Sequence, residues 1–260
     1  MKIISSKDNQ KLKLARSLRQ KKGRMNEGCF LAEGLRLCGE ALLAGIAPRC
    51  VFAAEDASSP VLELAKEAEA AGAECYRLSS RLLAGIADTE HSQGIVMVLP
   101  LPQEQSLPEH GHCYALCDGL ADPGNVGAVF RSAYAAEVSG LILSPGCADP
   151  YNPKTVRSAM GAIFRMPFVR TGSDGETAAL IKKLGVPVYV TAMDGKDIRG
   201  MKDELQQPHL WVLGSEAAGV SAFWRRQADA AVSLPMRQGA ESLNVAAAAA
   251  VLFYQSFFAK

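Results

Sequence analysis

Apolar residues along this chain fall into two alternating patterns. Short continuous apolar runs at 29–32, 50–53 and 95–99 predict strands, and 75–78, apolar but for Arg77, predicts another. Segments with apolar residues three and four apart, at 9–21, 35–44 and 61–71, predict helices. In the first helix, Leu12, Ala15 and Leu18 share one face. Gly72 ends the third, and Ser80 offers a cap to a short one that follows. The alternation resumes further on. Strands are expected at 114–117, 141–143, 186–191, 210–213 and 231–234, and helices at 125–136, 153–160, 176–184, 222–226 and 243–258. These later strands are almost wholly apolar, as in a parallel sheet covered on both faces. Between the halves, residues 100–112 hold three prolines and no periodicity, which reads as a linker. The expected architecture is α/β in two domains, 1–99 and 113–260.

Composition narrows the class. In 260 residues, 48% hydrophobic and 21% charged, there is apolar material for two cores. No apolar run reaches the length of a membrane span, and 245–258 reads as a buried terminal helix. The beginning of the chain, through Asp8, has no apolar signal core. Seven cysteines, an odd number, sit in apolar surroundings such as those of Cys50 and Cys117. Reduced thiols in the cytoplasm are the expectation. The net charge of +1 favours no partner, but its distribution does. Residues 1–24 carry nine Lys or Arg against the single acid Asp8. Lys11, Lys13, Arg16, Lys21, Lys22 and Arg24 are thus candidate contacts to a polyanion, the alternative being a solvated helix face.

Sheets of this kind bind ligands in the loops beyond the carboxyl ends of their strands, and three loops qualify. The first runs from Asp118 through Asp122, Pro123, Gly124, Asn125 and Gly127 to Arg131. Its glycines permit close backbone approach and its helix start favours an anion, while Asn125 could simply be an N-cap. The second, Gly214 to Ser221, holds Glu216 between two glycines. The third runs from Leu234 through Met236 and Arg237 to Ser242, Leu243 and Asn244. Ser242 suits an N-cap, whereas Asn244 is a polar residue entering a very apolar helix with alanines at 246–250.

Together and in this order, the three loops resemble the motifs of the SpoU/TrmH family within the SPOUT methyltransferases. The matching residues are Asn125 and Arg131, then Gly214 and Glu216, then Ser242, Leu243 and Asn244. The stretch from Asp149 to Gly161 is also similar, and the resemblance covers 113–260. Residues 1–99 look like the L30e-like α/β/α substrate-binding domain that precedes many members. Glu137 departs from the pattern, since relatives commonly have Gly there.

The resemblance implies a deep trefoil knot in the second domain and transfer of a methyl group from S-adenosylmethionine to an RNA ribose 2′-hydroxyl. It assigns Gly214, Leu234 and Leu243 to the cofactor, with Thr191 and Met236 as neighbours. It implies a general base at Arg131, but a guanidinium gives up its proton only far above neutral pH, so Arg131 is expected to bind the neighbouring phosphate and stabilise the developing alkoxide, with full deprotonation as the bolder version. Asn125, Glu216, Ser242 and Asn244 would orient Arg131 and the ribose. It also implies a homodimer, with the last helix and the Arg157–Gly161 region as candidate contacts. Arg157 joins the candidate RNA contacts. The expected substrate is structured RNA, ribosomal before transfer RNA. A non-catalytic RNA-binding protein is the runner-up. His110, His112, Cys113 and Cys117 cluster without a recurrent zinc spacing, and no dinucleotide glycine fingerprint is present. A metal enzyme and an oxidoreductase are therefore not expected.

Overall fold

The computed structural model describes residues 1–89, 92–102, 106–216, 218–238 and 242–260. Residues 103–105 of the expected linker, and 217 and 239–241 of the second and third loops, lie outside the described residues. In chain order the first elements are β1 (Lys2–Ile4), α1 (Gln10–Ser17), α2 (Lys21–Glu27), β2 (Cys29–Glu33), α3 (Leu35–Leu43) and β3 (Cys50–Ala54). Then come α4 (Ser59–Ala70), β4 (Glu74–Leu78), α5 (Ser80–Ala84) and β5 (Ile95–Pro100). The second half holds β6 (Cys113–Asp118), α6 (Pro123–Ala135), β7 (Gly140–Leu143), α7 (Pro153–Ala159), β8 (Phe168–Arg170) and α8 (Asp174–Leu184). It closes with β9 (Val188–Asp197), β10 (His209–Gly214), α9 (Ala222–Gln227), β11 (Ala230–Ser233) and α10 (Val245–Ala259). Among the described residues, no helix is long and apolar enough to cross a membrane.

The chain divides into two compact units: Met1–Gln103 with Asp149–Arg165, and Glu104–Ala148 with Met166–Lys260. In the first, the strand order is β1-β4-β3-β5-β2. β1, β4 and β3 run parallel, and β5 runs antiparallel to β3 and β2. Leu12, Ala15 and Leu18 are fully buried against this sheet, as their spacing predicts.

The single helix expected over 9–21 is in fact two, because α1 stops at Ser17. Arg24 explains the break. Its Nη1 donates to the carbonyls of Leu18 (2.8 Å) and Arg19 (3.0 Å), the free carbonyl end of α1. Its Nη2 donates to Asp149 Oδ2 at 2.6 Å. Arg24 is 2% exposed, so it does not face a polyanion as its place in the basic run suggested. The Asp149–Arg165 segment, which lies between β7 and β8 in the chain, adds further ties inside the first unit. Arg165 pairs with Glu40 and Arg157 with Asp88, each at 2.7 Å. Phe30 packs its ring on Tyr151 at 4.9 Å.

The second unit is a six-stranded sheet of order β11-β9-β10-β6-β7-β8. Every pairing in it is parallel, as the apolar runs predict. Against one face pack Leu107, Ile181 and Trp224; α10 packs on α6 and β10. β8 and β1 were not expected, being only three residues each. β9 runs on to Asp197 because its pairing with β11 skips. Ala231 faces Val190, and Val232 already faces Lys196, so Thr191–Gly195 is extruded from the ladder.

At the opposite, amino end of β10, His209 is fully buried. Gln207 O can only accept, so the Nδ1 of His209, 2.8 Å away, carries the ring proton. Nε2, 2.7 Å from Ser256 Oγ, then accepts from that hydroxyl, which also receives Trp211 Nε1 at 2.9 Å. This ties α10 to the sheet through a neutral imidazole. Burial lowers the His209 pKa from 6.5 to about 4. The unfolded chain therefore takes up the proton first. The stability held at pH 7 falls as pH drops below 6.5, and the loss levels off below about 4. Chemical denaturation at pH 7 and pH 4.5 should show the wild type losing roughly 2–3 kcal/mol more than His209→Gln over that interval.

Candidate active site

β6 ends at Asp118, and the chain turns through Gly119, which takes φ +63°, toward α6. Asp122 caps that helix by accepting from Asn125 N at 2.9 Å, with Pro123 in the first turn. Asn125 is thus not the cap, and its side chain is left for other work. β10 ends at Gly214, where a Cβ would lie 2.1 Å from Gly219 C and Val220 N. No side chain fits there, because the loop folds directly back on the strand end. Gly219 N donates to Ser215 O at 2.8 Å, Ala218 N to Ser215 Oγ at 3.2 Å, and Ser221 N to Asp118 Oδ2 at 2.7 Å. Glu216 sits exposed on this turn.

The third loop delivers Asn244 as the N-cap of α10. Its Oδ1 accepts from Ala246 N at 3.0 Å and Ala247 N at 3.4 Å. The helix therefore starts at Val245, and Ser242, the expected cap, stands two residues outside it and exposed. Because Oδ1 faces the helix, Nδ2 faces the other two loops. It donates to Asn125 Oδ1 at 3.0 Å and to Glu216 Oε1. One amide thus joins all three loops, with every polar atom in use. Since Asn125 Oδ1 accepts, its Nδ2 remains a donor, and Glu216 Oε2 an acceptor.

Of the five residues expected to do chemistry, the structure joins Asn125, Glu216 and Asn244. Arg131 lies exposed further along α6, and Ser242 lies exposed before α10. Neither makes a hydrogen bond to that trio among the described residues. Two residues without an expected role emerge, Asp122 and Asp118. The Asp-Pro pair at 122–123 is a readable helix start; nothing local in the sequence marks Asp118.

The expected cofactor residues stand on neighbouring strands. Thr191, Gly214 and Leu234 lie at or just beyond the carboxyl ends of the pairing segments of β9, β10 and β11. Thr191 Oγ1 donates to Val212 O at 3.1 Å. Leu234 and Met236 are half-buried, and Leu243 is 44% exposed. Apolar side chains beside backbone polar groups at strand ends are the kind of lining that a flat heteroaromatic ligand takes.

Residues 112–254 match the SpoU rRNA Methylase family, and 9–97 match an MRM3-like substrate binding domain. The chain is 37% identical over 257 residues to the 23S rRNA (guanosine(2553)-2'-O)-methyltransferase RlmP of Bacillus subtilis, covering 98% of each. An AdoMet-bound rRNA methyltransferase from Sinorhizobium meliloti superposes with a TM-score of 0.86 at 29% identity, covering 98% of this chain and 97% of that one. The SpoU methyltransferase AviRb of Streptomyces viridochromogenes, in complex with AdoMet, gives a TM-score of 0.84 at 29% identity over 96% and 98%. With both halves matched in order and the three motif loops meeting at Asn244, the chain belongs to the SpoU rRNA Methylase family.

Proposed function

We propose that this protein is an S-adenosylmethionine-dependent RNA 2′-O-ribose methyltransferase acting on ribosomal RNA. The observation that carries the reading is the meeting of Asn125, Glu216 and Asn244. The RlmP relative, matched end to end, is named for this reaction on 23S rRNA. Thr191, Gly214, Leu234, Met236 and Leu243 would hold S-adenosylmethionine, which supplies an electrophilic methyl carbon when bound. The half-buried Leu234 and Met236 would offer the adenine apolar surface, and backbone groups at the strand ends would offer it fixed hydrogen bonds.

The protein's own task is to place a ribose oxygen and stabilise the charge that develops on it. Asn125 Nδ2 and Glu216 Oε2 remain available to a sugar after Asn244 has fixed their other atoms. Arg131 and Ser242, both exposed, would complete the set. A guanidinium keeps its proton at neutral pH, so Arg131 holds the neighbouring phosphate and stabilises the developing alkoxide. Positioning of this kind supplies several kcal/mol of rate acceleration.

RNA would be gathered by residues 1–99, and 113–260 would carry out the transfer. Lys13, Lys21 and Lys22 are exposed, and Arg19 joins them. Lys11 is paired with Glu74, Arg16 donates to Lys7 O, and Arg157 is paired with Asp88, so these three contribute less. The insertion of β10 between β9 and β6 supports the trefoil knot implied by the family. The cytoplasm, where ribosomal RNA is processed, is the expected location.

The homodimer rests on α10. A helix apolar all round is normally buried on all sides. Here Ala246, Ala249, Leu252 and Phe253 face the unit's interior, while Val251 (43%), Tyr254 (38%) and Phe258 (73%) are exposed on the opposite face. A second copy of this helix would cover them. Sedimentation should show a wild-type dimer and a monomeric Val251→Glu/Phe258→Glu variant; a wild-type monomer would remove the proposal.

Methyl transfer is tested with labelled S-adenosylmethionine and unmodified ribosomal RNA. A 2′-O-methyl at one 23S rRNA nucleotide is expected, with loss of turnover in Arg131→Ala. Activity confined to transfer RNA, or none on any RNA, would overturn the reading. Asn244→Asp separates the two duties of Asn244. The carboxylate still caps α10, so stability should change by less than about 1 kcal/mol. It cannot donate to Asn125 or Glu216, so kcat should fall on the order of 100-fold.

A further inference from the structure

We infer that Asp118 is a positioning residue for methyl transfer, acting through the Glu216 turn. The inference rests on the methyltransferase reading above and adds a residue that its motifs leave without a role. In the β6–β10 register, Asp118 stands opposite Gly214, the last residue of β10. The chain then doubles back through the turn that carries Glu216, closed on itself by Gly219 N to Ser215 O at 2.8 Å. Val220 anchors the turn in the core, and at its exit Ser221 N donates to Asp118 Oδ2 at 2.7 Å. A carboxylate receiving a backbone N–H makes a bond stronger than a neutral pair.

Asp118 is itself held. The next residue, Gly119, donates its N–H to Ser144 Oγ at 3.0 Å, and Ser144 is 4% exposed at the end of β7. Ala148 N donates to Leu120 O at 2.8 Å, closing the same corner. The result is a ring of contacts. It runs from Asp118 along the first loop to Asn125, across to Asn244, over to Glu216, and through Ser221 back to Asp118. Asn244 locks one side of the ring and Asp118 the other. Asp118 and Asn244 each tie the Glu216 turn to the first loop.

What the ring needs at 118 is an acceptor, and an amide oxygen can supply it. The experiment compares Asp118→Asn with Asp118→Ala in the full-length protein, measuring kcat, both KM values and amide exchange at Ser221. Asp118→Ala should lower kcat about tenfold with KM values within about twofold, and Asp118→Asn should recover most of the loss. Exchange at Ser221 should quicken in Asp118→Ala and stay slow in Asp118→Asn. In a Glu216→Gln background, Asp118→Ala should cost little more, because both act through one turn. Wild-type kcat in Asp118→Ala, equal loss in the two variants, or fully additive loss with Glu216→Gln would each overturn the inference. Failure of the methyltransferase reading looks different. The wild type would then transfer no methyl to any RNA, while Ser221 exchange would still distinguish the two variants.

Discussion

The second unit depends on a side chain with two incompatible-looking duties. A helix start needs an acceptor for its free N–H groups, and a site assembled from three loops needs donors to hold them together. Aspartate, serine and threonine cap helices well, but none can accept from the helix and also donate two N–H bonds outward. An asparagine can, with Oδ1 on Ala246 and Ala247 and Nδ2 on Asn125 and Glu216. The cap fixes the amide's orientation, and the orientation fixes which atoms of Asn125 and Glu216 are left over. Helix termination and site geometry are thus one constraint.

That constraint works only because the sheet brings the loops within reach. The order β11-β9-β10-β6 places the carboxyl ends of four strands side by side, and each loop leaves from one of them or joins its neighbour. Two departures from ideal strands make room. Gly214 lets the Glu216 turn lie directly on the strand end, where a Cβ would overlap the returning backbone. The skip in the β9–β11 ladder pushes Thr191–Gly195 out of the sheet beside it. Regular pairing holds the unit together, and both interruptions fall at the carboxyl ends of paired strands.

These features differ in how legible they were in the sequence. The parallel sheet was readable because its strands are unbroken apolar runs, a signal that burial on both faces imposes directly. The three loops were readable because they follow such strands. Which residue caps which helix was not. Asn125 and Ser242 have good capping side chains, yet Asp122 and Asn244 hold the positions. A cap is decided by backbone geometry over a few residues, and several candidates lay within reach of each start. Arg24 was misread for a related reason. A basic run looks uniform in sequence, but at the break between α1 and α2 one guanidinium lies inward on the carbonyls of Leu18 and Arg19 and on Asp149, 125 residues away. Ties across such separations leave no local mark, and the same is true of Asp118.

Glu137 shows how a departure from a family pattern can be physical without touching chemistry. It sits between α6 and β7 at φ +53°, a left-handed conformation that favours glycine. Its carboxylate pairs with Lys260 at 3.2 Å, near the end of α10. An exposed pair of this kind contributes little, so it does not offset the backbone strain. What the pair does provide is a link between the end of α6 and the end of α10, the two helices whose opposite ends carry Asn125 and Asn244. The two helices pack against each other, and at their near end the amide that builds the site joins them. Loosening the far end would leave that amide intact, because its own four bonds are local to the three loops.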